Sequence, residues 1–475
     1  MSAPLRIGIS GTVAIAQLVH LPRSSTGRGA VRGAVRGAVR GAVRGAVRGA
    51  VRAAVRAAVR GAVIGALFGS VLVADARAQR PVAVDSTLTV ELLTVGQGEA
   101  VWERFGHNAL IITDRSTRTA AAYNWGVFDF NQPGFLARFF TGDTKYWVAV
   151  YDARAMIEYY KSTNRTVEIQ RLALTQDQAR ALRNLAARNA EEENKYYRYD
   201  YFRDNCSTRI RDLIDQAVGG ALRRATEGVP GDGTFRTHTQ RLVADDHLIY
   251  TGLTMALGRR ADSTLSKWDE MFIPMRVRDR VRELRVPGPD GTLVPLVAQE
   301  QLLFATSRAS ERTQPPAWAG VYFALGALVA ALVLSLARVA PRVGRARTAL
   351  AAVGACWGIG AGLVGIILLL AATVTRHIYW QQDVSLALLP PTGLLFAPFW
   401  WRWLMRGAAG RATTLTFGLF LAPPVLGTIV ALLDGGWRGA LPIIALTLPL
   451  HASLVAAVTL VSSRDPSRAL RFTAG

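Results

Sequence analysis

The chain has 475 residues, of which 50% are apolar, and a formal net charge of +22 at pH 7. This composition excludes a disordered chain and is typical of globular and membrane-embedded segments together. The charge does not indicate nucleic-acid binding. Residues 1–78 hold twelve Arg and one acidic residue. Much of the remaining excess lies beside apolar runs, where Arg sets membrane topology.

A tetrapeptide, mostly GAVR, repeats from Gly27 to Gly61 and places nine Arg four residues apart, from Arg28 to Arg60. On a helix this spacing stacks like charges one turn apart, which is destabilising. We interpret the repeat as low-complexity sequence upstream of the true start of the protein. An arm that binds anionic lipid or nucleic acid is the alternative.

An export signal follows the repeat, in GAVIGALFGSVLVADARAQR. It has a short apolar core and ends in Ala76-Arg77-Ala78, which fits the small-x-small rule for signal cleavage. We expect residues 1–78 to be removed and the mature chain to begin near Gln79. The exported part then lies in an oxidising compartment.

Residues 79–315 have the pattern of an α+β domain. Alternating or β-branched runs predict four strands, at 87–95, 108–113, 120–130 and 165–174. Residues 96–106, between the first two strands, indicate a turn and a short helix. Thr175 and Gln178 fit a capping box that begins a helix running to about Glu193.

The next helix contains the only cysteine of this domain, in YRYDYFRDNCSTRIRDLID. Its apolar face is predicted from the helical spacing of Ile210, Leu213, Ile214, Ala217 and Val218. Asp204 or Asn205 is a suitable N-cap, so Cys206 lies in the first turn. There the helix dipole favours a thiolate, whereas the charge of Asp204 opposes it.

Two interpretations of Cys206 remain open from its position alone: a buried inert thiol and a nucleophile. The other cysteine, Cys356, lies in an apolar run, so no disulfide within the domain is possible. A nucleophile needs a base, and His107 is a candidate because it stands where a Gly turn enters a strand. Of the other histidines, His238 and His247 fall in a polar stretch that indicates solvated side chains. His451 falls in an apolar run, where packing is expected.

The pattern of the C-terminal region, 316–475, predicts a membrane domain. Five apolar runs approach the ~20 residues of a spanning helix: 318–337, 350–374, 385–401, 413–433 and 440–461. The third contains Pro390-Pro391. The Arg-rich connections and tail contain Arg338, Arg342, Arg345 and Arg347, then Arg402, Arg406 and Arg411, then Arg464, Arg468 and Arg471. By the positive-inside rule these are cytoplasmic, which leaves the soluble domain and His377 outside.

Several blocks in one order resemble a known family. They are FGHNALIITD, YNWGVFDFNQPGFLARFFTGDTKYWV, NRTVEIQRLALT, YYRYDYFRDNCSTRIRDLID and GRRADSTLSKWDEMFIP, with a looser block at RHIYWQQDVSLALLPPTGLL. The stretch from about Leu88 to Arg285 is similar to the exported N-terminal domain of the Lnb family, bacterial lipoprotein N-acyltransferases with a membrane C-terminal part.

This resemblance implies a circularly permuted papain-like thiol fold, in which the base His107 precedes the nucleophile Cys206. It implies lipoprotein N-acylation at the bacterial inner membrane, with a periplasmic catalytic domain, a lipoprotein substrate and a lipid acyl donor. The supporting candidates are Asn124 and Asp129, which would orient His107; Asn205 or the backbone N–H of Cys206, which would hold the oxyanion; and His377, which would reach substrate head groups or serve no role.

Two other functions fit the same residues. A cell-wall cysteine peptidase or amidase would use the same dyad, and a non-catalytic anchored module would bind a lipid or peptide in a polar cleft. The chain shows neither an HExxH-type motif nor a zinc-binding cysteine pair, and we expect no metal and no cofactor.

Overall fold

The structure is a computed structural model that describes residues 87–288, 291–407, 410–433, 435 and 437–465. The GAVR repeat, the export signal, the expected start near Gln79 and the last Arg residues of the tail lie outside the described residues.

The N-terminal part is built on one antiparallel sheet. Seven strands form it in the order β11-β5-β1-β2-β3-β4-β6, and four short strands form two separate pairs. The strands are β1 (Leu88–Val95), β2 (His107–Asp114), β3 (Thr119–Val127), β4 (Lys145–Asp152), β5 (Val167–Leu172), β6 (Tyr196–Arg198), β7 (Pro230–Thr234), β8 (Thr264–Ser266), β9 (Arg285–Pro287), β10 (Leu293–Pro295) and β11 (Val297–Phe304).

Helices cover both faces of the sheet and then form the C-terminal part. They are α1 (Phe135–Thr141), α2 (Ala153–Ser162), α3 (Gln176–Ala190), α4 (Cys206–Ala217), α5 (Ala221–Thr226), α6 (Phe235–Leu242), α7 (His247–Ala256), α8 (Pro274–Glu283), α9 (Ala319–Val339), α10 (Gly344–Val374), α11 (Ser385–Leu388), α12 (Gly393–Arg406), α13 (Arg411–Leu433) and α14 (Trp437–Arg464).

The alternation of strand side chains explains the two cores. On β2, Leu110 and Ile112 point into a core shared with α3, α4 and α8. Ala109 and Ile111 point into the opposite core, under α2. A strand buried on both faces has a continuous apolar sequence, as NALIIT does. The sheet is therefore the middle layer of three.

The predicted elements of this domain are confirmed, with small shifts in their ends. The four expected strands are β1, β2, β3 and β5, and a short 3-10 turn at Val101–Glu103 lies between the first two. Thr175 caps α3: its side chain accepts from the backbone N–H of Gln178, and its own backbone N–H donates to Gln178 Oε1. The helix ends at Ala190, before the expected Glu193.

Four of the five predicted spanning runs form long apolar helices, and the third run is a broken segment. Among the described residues, four helices are long and apolar enough to cross a bilayer: α9, α10, α13 and α14. The third run is divided into α11 and α12, with Pro390 and Pro391 between them. Proline removes a backbone donor and clashes with the preceding turn, so this pair favours a break in the helix. The 14 residues of α12 span about 21 Å, short of the ~30 Å hydrocarbon core.

Small residues on α10 let α12 approach it closely. An added Cβ would come within 3 Å of α12 side chains at Gly354 and Gly358, and within 2.6 Å of the Leu394 backbone nitrogen at Gly362. Close contact through small residues is a common way for helices to associate in lipid, where the hydrophobic effect does not drive packing. The glycines thus position the broken segment.

We expect Gly362→Ala to lower the unfolding temperature of the full-length protein in detergent. The new methyl group has no room beside Leu394, and overpacking of this kind costs about 1–3 kcal/mol. Gly360→Ala is the matched control, since a Cβ there meets nothing within 4 Å and Ala is the better helix former. Equal thermal shifts in the two variants would contradict the packing role of Gly362.

Candidate active site

Cys206 is the first residue of α4, and Asn205 caps that helix. The Asn205 Oδ1 atom accepts from the backbone N–H groups of Ser207 and Thr208, at 2.9 Å each. The apolar face predicted for this helix is buried in the core against the sheet. The cap and the packing together fix the direction of the first turn, and with it the Cys206 side chain.

A histidine and an asparagine approach the thiol from the sheet. His107 is the first residue of β2, and Asn124 lies on the neighbouring strand β3. The His107 Nε2 atom lies 2.5 Å from Asn124 Oδ1. An amide oxygen only accepts, so Nε2 carries the hydrogen and Nδ1 remains for the hydrogen bond between His107 and the Cys206 thiol.

A bend in β3 makes room for this contact. The pairing of β3 with β4 is irregular between Asn124 and Val127, and Gly126 between them has a φ of 86°. A Cβ at Gly126 would lie 3.3 Å from the ring of Tyr199 and 3.7 Å from Cys206 Cβ. A positive φ is open to glycine and strained for other residues, so Gly126 suits both the bend and the close approach.

The surroundings of the thiol favour its ionised form. Burial by itself raises the pKa of Cys206. The lowering effects are larger and bring the pKa to about 7; they come from the charge of His107, its hydrogen bond and the backbone N–H of Asn108. Ser207 Oγ lies 3.8 Å from the sulfur and acts in the same direction. Near neutral pH a substantial fraction of Cys206 is therefore thiolate, the reactive form of cysteine.

The opposing charge expected from Asp204 is neutralised. Its two carboxylate oxygens accept from Arg209, with the Arg209 Nη2 to Asp204 Oδ2 distance at 2.8 Å. Burial also raises the pKa of Tyr197 and Tyr199 well above their ordinary value, and the nearby thiolate adds to this. Both phenols are thus neutral beside Cys206, and the positive charge at the sulfur comes from His107.

The structure separates the two candidates for orienting His107. Asn124 contacts the imidazole, whereas Asp129 lies beyond the end of β3 and is exposed. The Asp129 carboxylate accepts from the backbone N–H of Asn131, at 2.8 Å, and so closes its own turn. Of these two residues, only Asn124 is positioned to orient His107.

The two oxyanion candidates also differ. The Asn205 side chain is fully engaged, because its amide nitrogen donates to Tyr201 O at 2.8 Å and to Phe272 O at 2.9 Å in addition to the cap. This use excludes the Asn205 amide as an oxyanion donor. The backbone N–H of Cys206 is the first of α4 and has no acceptor within a regular helix. It stands next to the sulfur, where a developing oxyanion would form.

The remaining histidines take no part in this arrangement. His238 was expected to be solvated but is buried in α6, where its Nε2 atom lies 2.9 Å from Glu270 Oε1 and its Nδ1 accepts from Arg241. His247 stacks on Trp318 with ring centres 4.0 Å apart. His451 packs between helices against Trp357 and Phe420, as its apolar run predicted.

His377 joins the loop after α10 to the sheet domain. Its Nε2–H donates to Phe139 O at 2.9 Å, and its ring lies against Trp380 and Tyr201. Burial lowers the pKa of His377. The preceding residue, Arg376, donates through its backbone to Thr141 O. These contacts give His377 a docking role at α1, which is different from the expected contact with head groups.

Asn108 and Ser207 also lie near the sulfur, and the sequence did not predict a role for either. Asn108 supplies the backbone N–H, and its side chain accepts from Ser207 Oγ at 2.9 Å and donates to Thr94 Oγ1 at 3.0 Å. Asn108 could have been noticed in the sequence because it is a polar residue in an otherwise apolar strand. Its partners lie 14 and 99 residues away in the chain.

No metal-binding cluster lies at the thiol in the described part of the chain, and the polar cavity nearby is not lined by Cys206. In the part of the chain that the structure describes, no three His, Cys, Asp or Glu side chains form a group that could hold a metal ion. A polar cavity of about 690 Å³ lies beside α4, lined by residues that include Tyr197, Asp204 and Arg209 but not Cys206. Cys206 is 6% exposed, so little of its surface is open to solvent.

Comparison with known proteins gives one match. Residues 75–244 match the family described as the Lnb N-terminal periplasmic domain. This range is just over a third of the chain, contains His107, Asn124 and Cys206, and ends before the membrane helices. No curated protein and no solved structure matches. The match supports the Lnb family and, with the four apolar helices, indicates a membrane protein with a periplasmic N-terminal domain.

The ionisation of Cys206 is testable by alkylation. In a Cys356→Ser background, we expect the rate of iodoacetamide modification to rise with pH and reach half its maximum near pH 7, because the pKa is lowered to that value. In His107→Ala the lowering interaction is lost while burial remains, so the midpoint should move above ~8.5. Intact-mass measurements follow the reaction. A wild-type midpoint at 8.5 or higher would contradict the ion pair.

Proposed function

We propose that the chain is a membrane-bound cysteine acyltransferase that N-acylates bacterial lipoproteins at the inner membrane, with its C-terminus in the cytoplasm. The observation that carries this proposal is the Cys206 thiol at a helix start, paired with His107 and Asn124, in a chain that also has four apolar helices. A helix that bears the cysteine at its start and packs on an antiparallel sheet that bears the histidine supports a permuted papain-like fold.

The first half-reaction transfers an acyl group to the enzyme. The Cys206 thiolate attacks the carbonyl carbon of a lipid ester, a carbon–sulfur bond forms and the oxygen becomes an oxyanion, which the Cys206 N–H stabilises. As the carbon–oxygen bond breaks, the His107 imidazolium gives its proton to the leaving alcohol. An acyl thioester and a neutral His107 remain.

The second half-reaction releases the acyl group to an amine. The amino group of the lipid-modified N-terminal cysteine of a lipoprotein attacks the thioester carbonyl, a carbon–nitrogen bond forms and the carbon–sulfur bond breaks. His107 takes the proton that the amine loses, which restores the thiolate–imidazolium pair. Because donor and acceptor are both anchored in a bilayer, binding at its surface raises their effective concentration.

An apolar surface near the membrane helices supports a bilayer substrate. On α1, Leu136 is 65% exposed and Phe140 is 62% exposed, and both lie on the helix that the loop after α10 holds through Arg376 and His377. An exposed apolar patch of this kind marks a contact with protein or membrane. Since α10 has the length and composition of a spanning helix, the bilayer surface is the nearest apolar phase.

Aromatic rings connect this surface to the thiol. Phe128 stacks with Phe135 of α1 and with Tyr146, and Tyr146 stacks on Tyr199, the ring that lies beside Gly126 and Cys206. A cell-wall substrate is polar, so a peptidase or amidase has no need of an apolar surface beside its nucleophile. This feature favours the acyltransferase over the cell-wall hydrolase.

Mass spectrometry of lipoprotein N-termini tests the function. In cells that depend on this protein for N-acylation, Cys206→Ala should abolish the N-acylated species, because no thioester can form. Cys356→Ser should leave N-acylation unchanged, since that thiol lies on a membrane helix. Unaltered N-acylation with Cys206→Ala would exclude the acyltransferase, and retained function without an acyl adduct would favour a binding module.

A pair of variants tests the role of Asn124. Asn124→Ala frees the His107 ring to rotate, and we expect the rate of acyl transfer to fall about 10²-fold while the unfolding temperature changes little. Asp129→Ala should have the wild-type rate, because that carboxylate closes only its own turn. Rates of thioester formation with a fluorescent acyl ester give the comparison. Equal rates in both variants would show that Asn124 does not position the base.

A further inference from the structure

A second cavity lies where the sheet domain meets the membrane helices. It has a volume of about 540 Å³, within the range of small-molecule sites. One end is polar and the other is apolar. The polar end is lined by Arg236, Arg259, Asp262, Gln382 and Asp383, and the apolar end by Val384, Ala387, Pro423, Leu426, Gly427, Val430 and Ala431.

Most of the apolar wall belongs to α13 and continues onto its outer surface. Leu426 and Val430 line the cavity and remain largely exposed, as side chains that face lipid do. Gly427 allows α11 to approach, because a Cβ there would lie 2.7 Å from Ala387 Cβ. A chain that lies along this wall can therefore pass from the bilayer into the cavity.

Arg236, the buried one of the two arginines at the polar end, is paired within the protein. Arg236 is buried, and its guanidinium donates to Asp262 at 2.7 and 3.0 Å, to Thr254 O at 2.7 Å and to Leu257 O. Its hydrogen bonds are thus used within the protein. The carboxylate of Asp262 is neutralised in the same pair.

The carboxylate of Asp383 has an oxygen atom that lacks a hydrogen-bond donor in the described part of the chain. Its Oδ1 atom accepts from Ser385 N at 2.8 Å, whereas its Oδ2 atom is buried and has no hydrogen-bond partner among the described residues. A buried carboxylate oxygen without a donor is costly. Burial also raises the pKa of Asp383 to about 7, although the Ser385 N–H, the charge of Arg236 and the Ser385 hydroxyl lower it. A ligand that brings an N–H donor with positive charge would satisfy this oxygen.

We propose that this cavity binds an amphiphile with a primary ammonium group, which pairs with the carboxylate of Asp383 while an acyl chain lies along Leu426 and Val430 of α13. The membrane source of this chemistry is an ethanolamine phospholipid. The amino terminus of a diacylated cysteinyl peptide has the same ammonium and chains. The cavity is separate from Cys206, and the binding does not depend on acyl transfer.

The position of the cavity links it to the thiol through one aromatic cluster. Phe235, next to Arg236, contacts Tyr379 of the docking loop with ring centres 5.0 Å apart and Phe202 with ring centres 4.6 Å apart. Phe202 precedes Cys206 by four residues. An occupied cavity would therefore support the same loop and cluster that flank α4.

Native mass spectrometry of the full-length protein in detergent tests the proposal, with phosphatidylethanolamine, phosphatidylcholine and phosphatidylglycerol as probes. The choline head group has the charge but no N–H, and the glycerol head group has no charge. We expect phosphatidylethanolamine to bind about tenfold or more tightly than either, as a charge-assisted hydrogen bond to a buried carboxylate predicts. Equal binding of the three lipids overturns the proposal.

Matched variants locate the site. Asp383→Asn should remove the preference for phosphatidylethanolamine, and Val430→Trp should weaken binding by filling the apolar end. Asp177→Asn, at an exposed carboxylate on α3, and Leu433→Trp, on α13 outside the cavity, should bind as wild type does. An unchanged preference in Asp383→Asn contradicts the assignment. If that variant does not fold, the wild-type preference together with Val430→Trp decides.

A peptide competition distinguishes the two sources of the amine. A diacylated cysteinyl peptide that displaces phosphatidylethanolamine, and loses this ability on N-acetylation, would support a site shared by lipid and peptide. Lipid binding without displacement would support a site for the lipid alone. Cys206→Ala should bind in both cases, so the result stands even if the proposed acyl transfer is wrong.

Discussion

The side-chain amide of Asn205 is the contact on which the candidate site depends. It caps α4 through two backbone N–H groups and joins the start of that helix to Tyr201 and Phe272. A cap contributes about 1 kcal/mol to helix stability. Its larger effect is geometric, because it determines where the first turn begins and therefore where the sulfur of Cys206 and its own N–H point.

The thiol combines two opposing electrostatic effects. Burial raises the pKa of Cys206 and would shield the proposed acyl thioester from water, but by itself it would leave the sulfur protonated and weakly nucleophilic. The His107 ring reverses this, since its charge and hydrogen bond outweigh burial. Asn124 holds the ring in the required tautomer, and Arg209 neutralises Asp204. Each of these partners comes from a different part of the chain.

The loop after α10 connects the sheet domain with the membrane helices. The loop after α10 docks on α1 through Arg376 and His377, and its later part closes the cavity at Asp383. The exposed apolar face of α1 and the lipid-facing wall of α13 both border on this loop. One connection of about ten residues thus joins the sheet domain and the proposed amine site to the membrane helices.

The sequence by itself determined the elements with strong periodicity or local signals: strands β1, β2, β3 and β5, the Thr175 cap, the helix that begins at Cys206, and the pairing of that residue with His107 through family resemblance. Tertiary structure decided which polar groups meet. Asn124 rather than Asp129 contacts His107, Asn205 is engaged in capping, and His377 docks on α1, because strand bends and distant backbone acceptors select partners that local spacing does not encode.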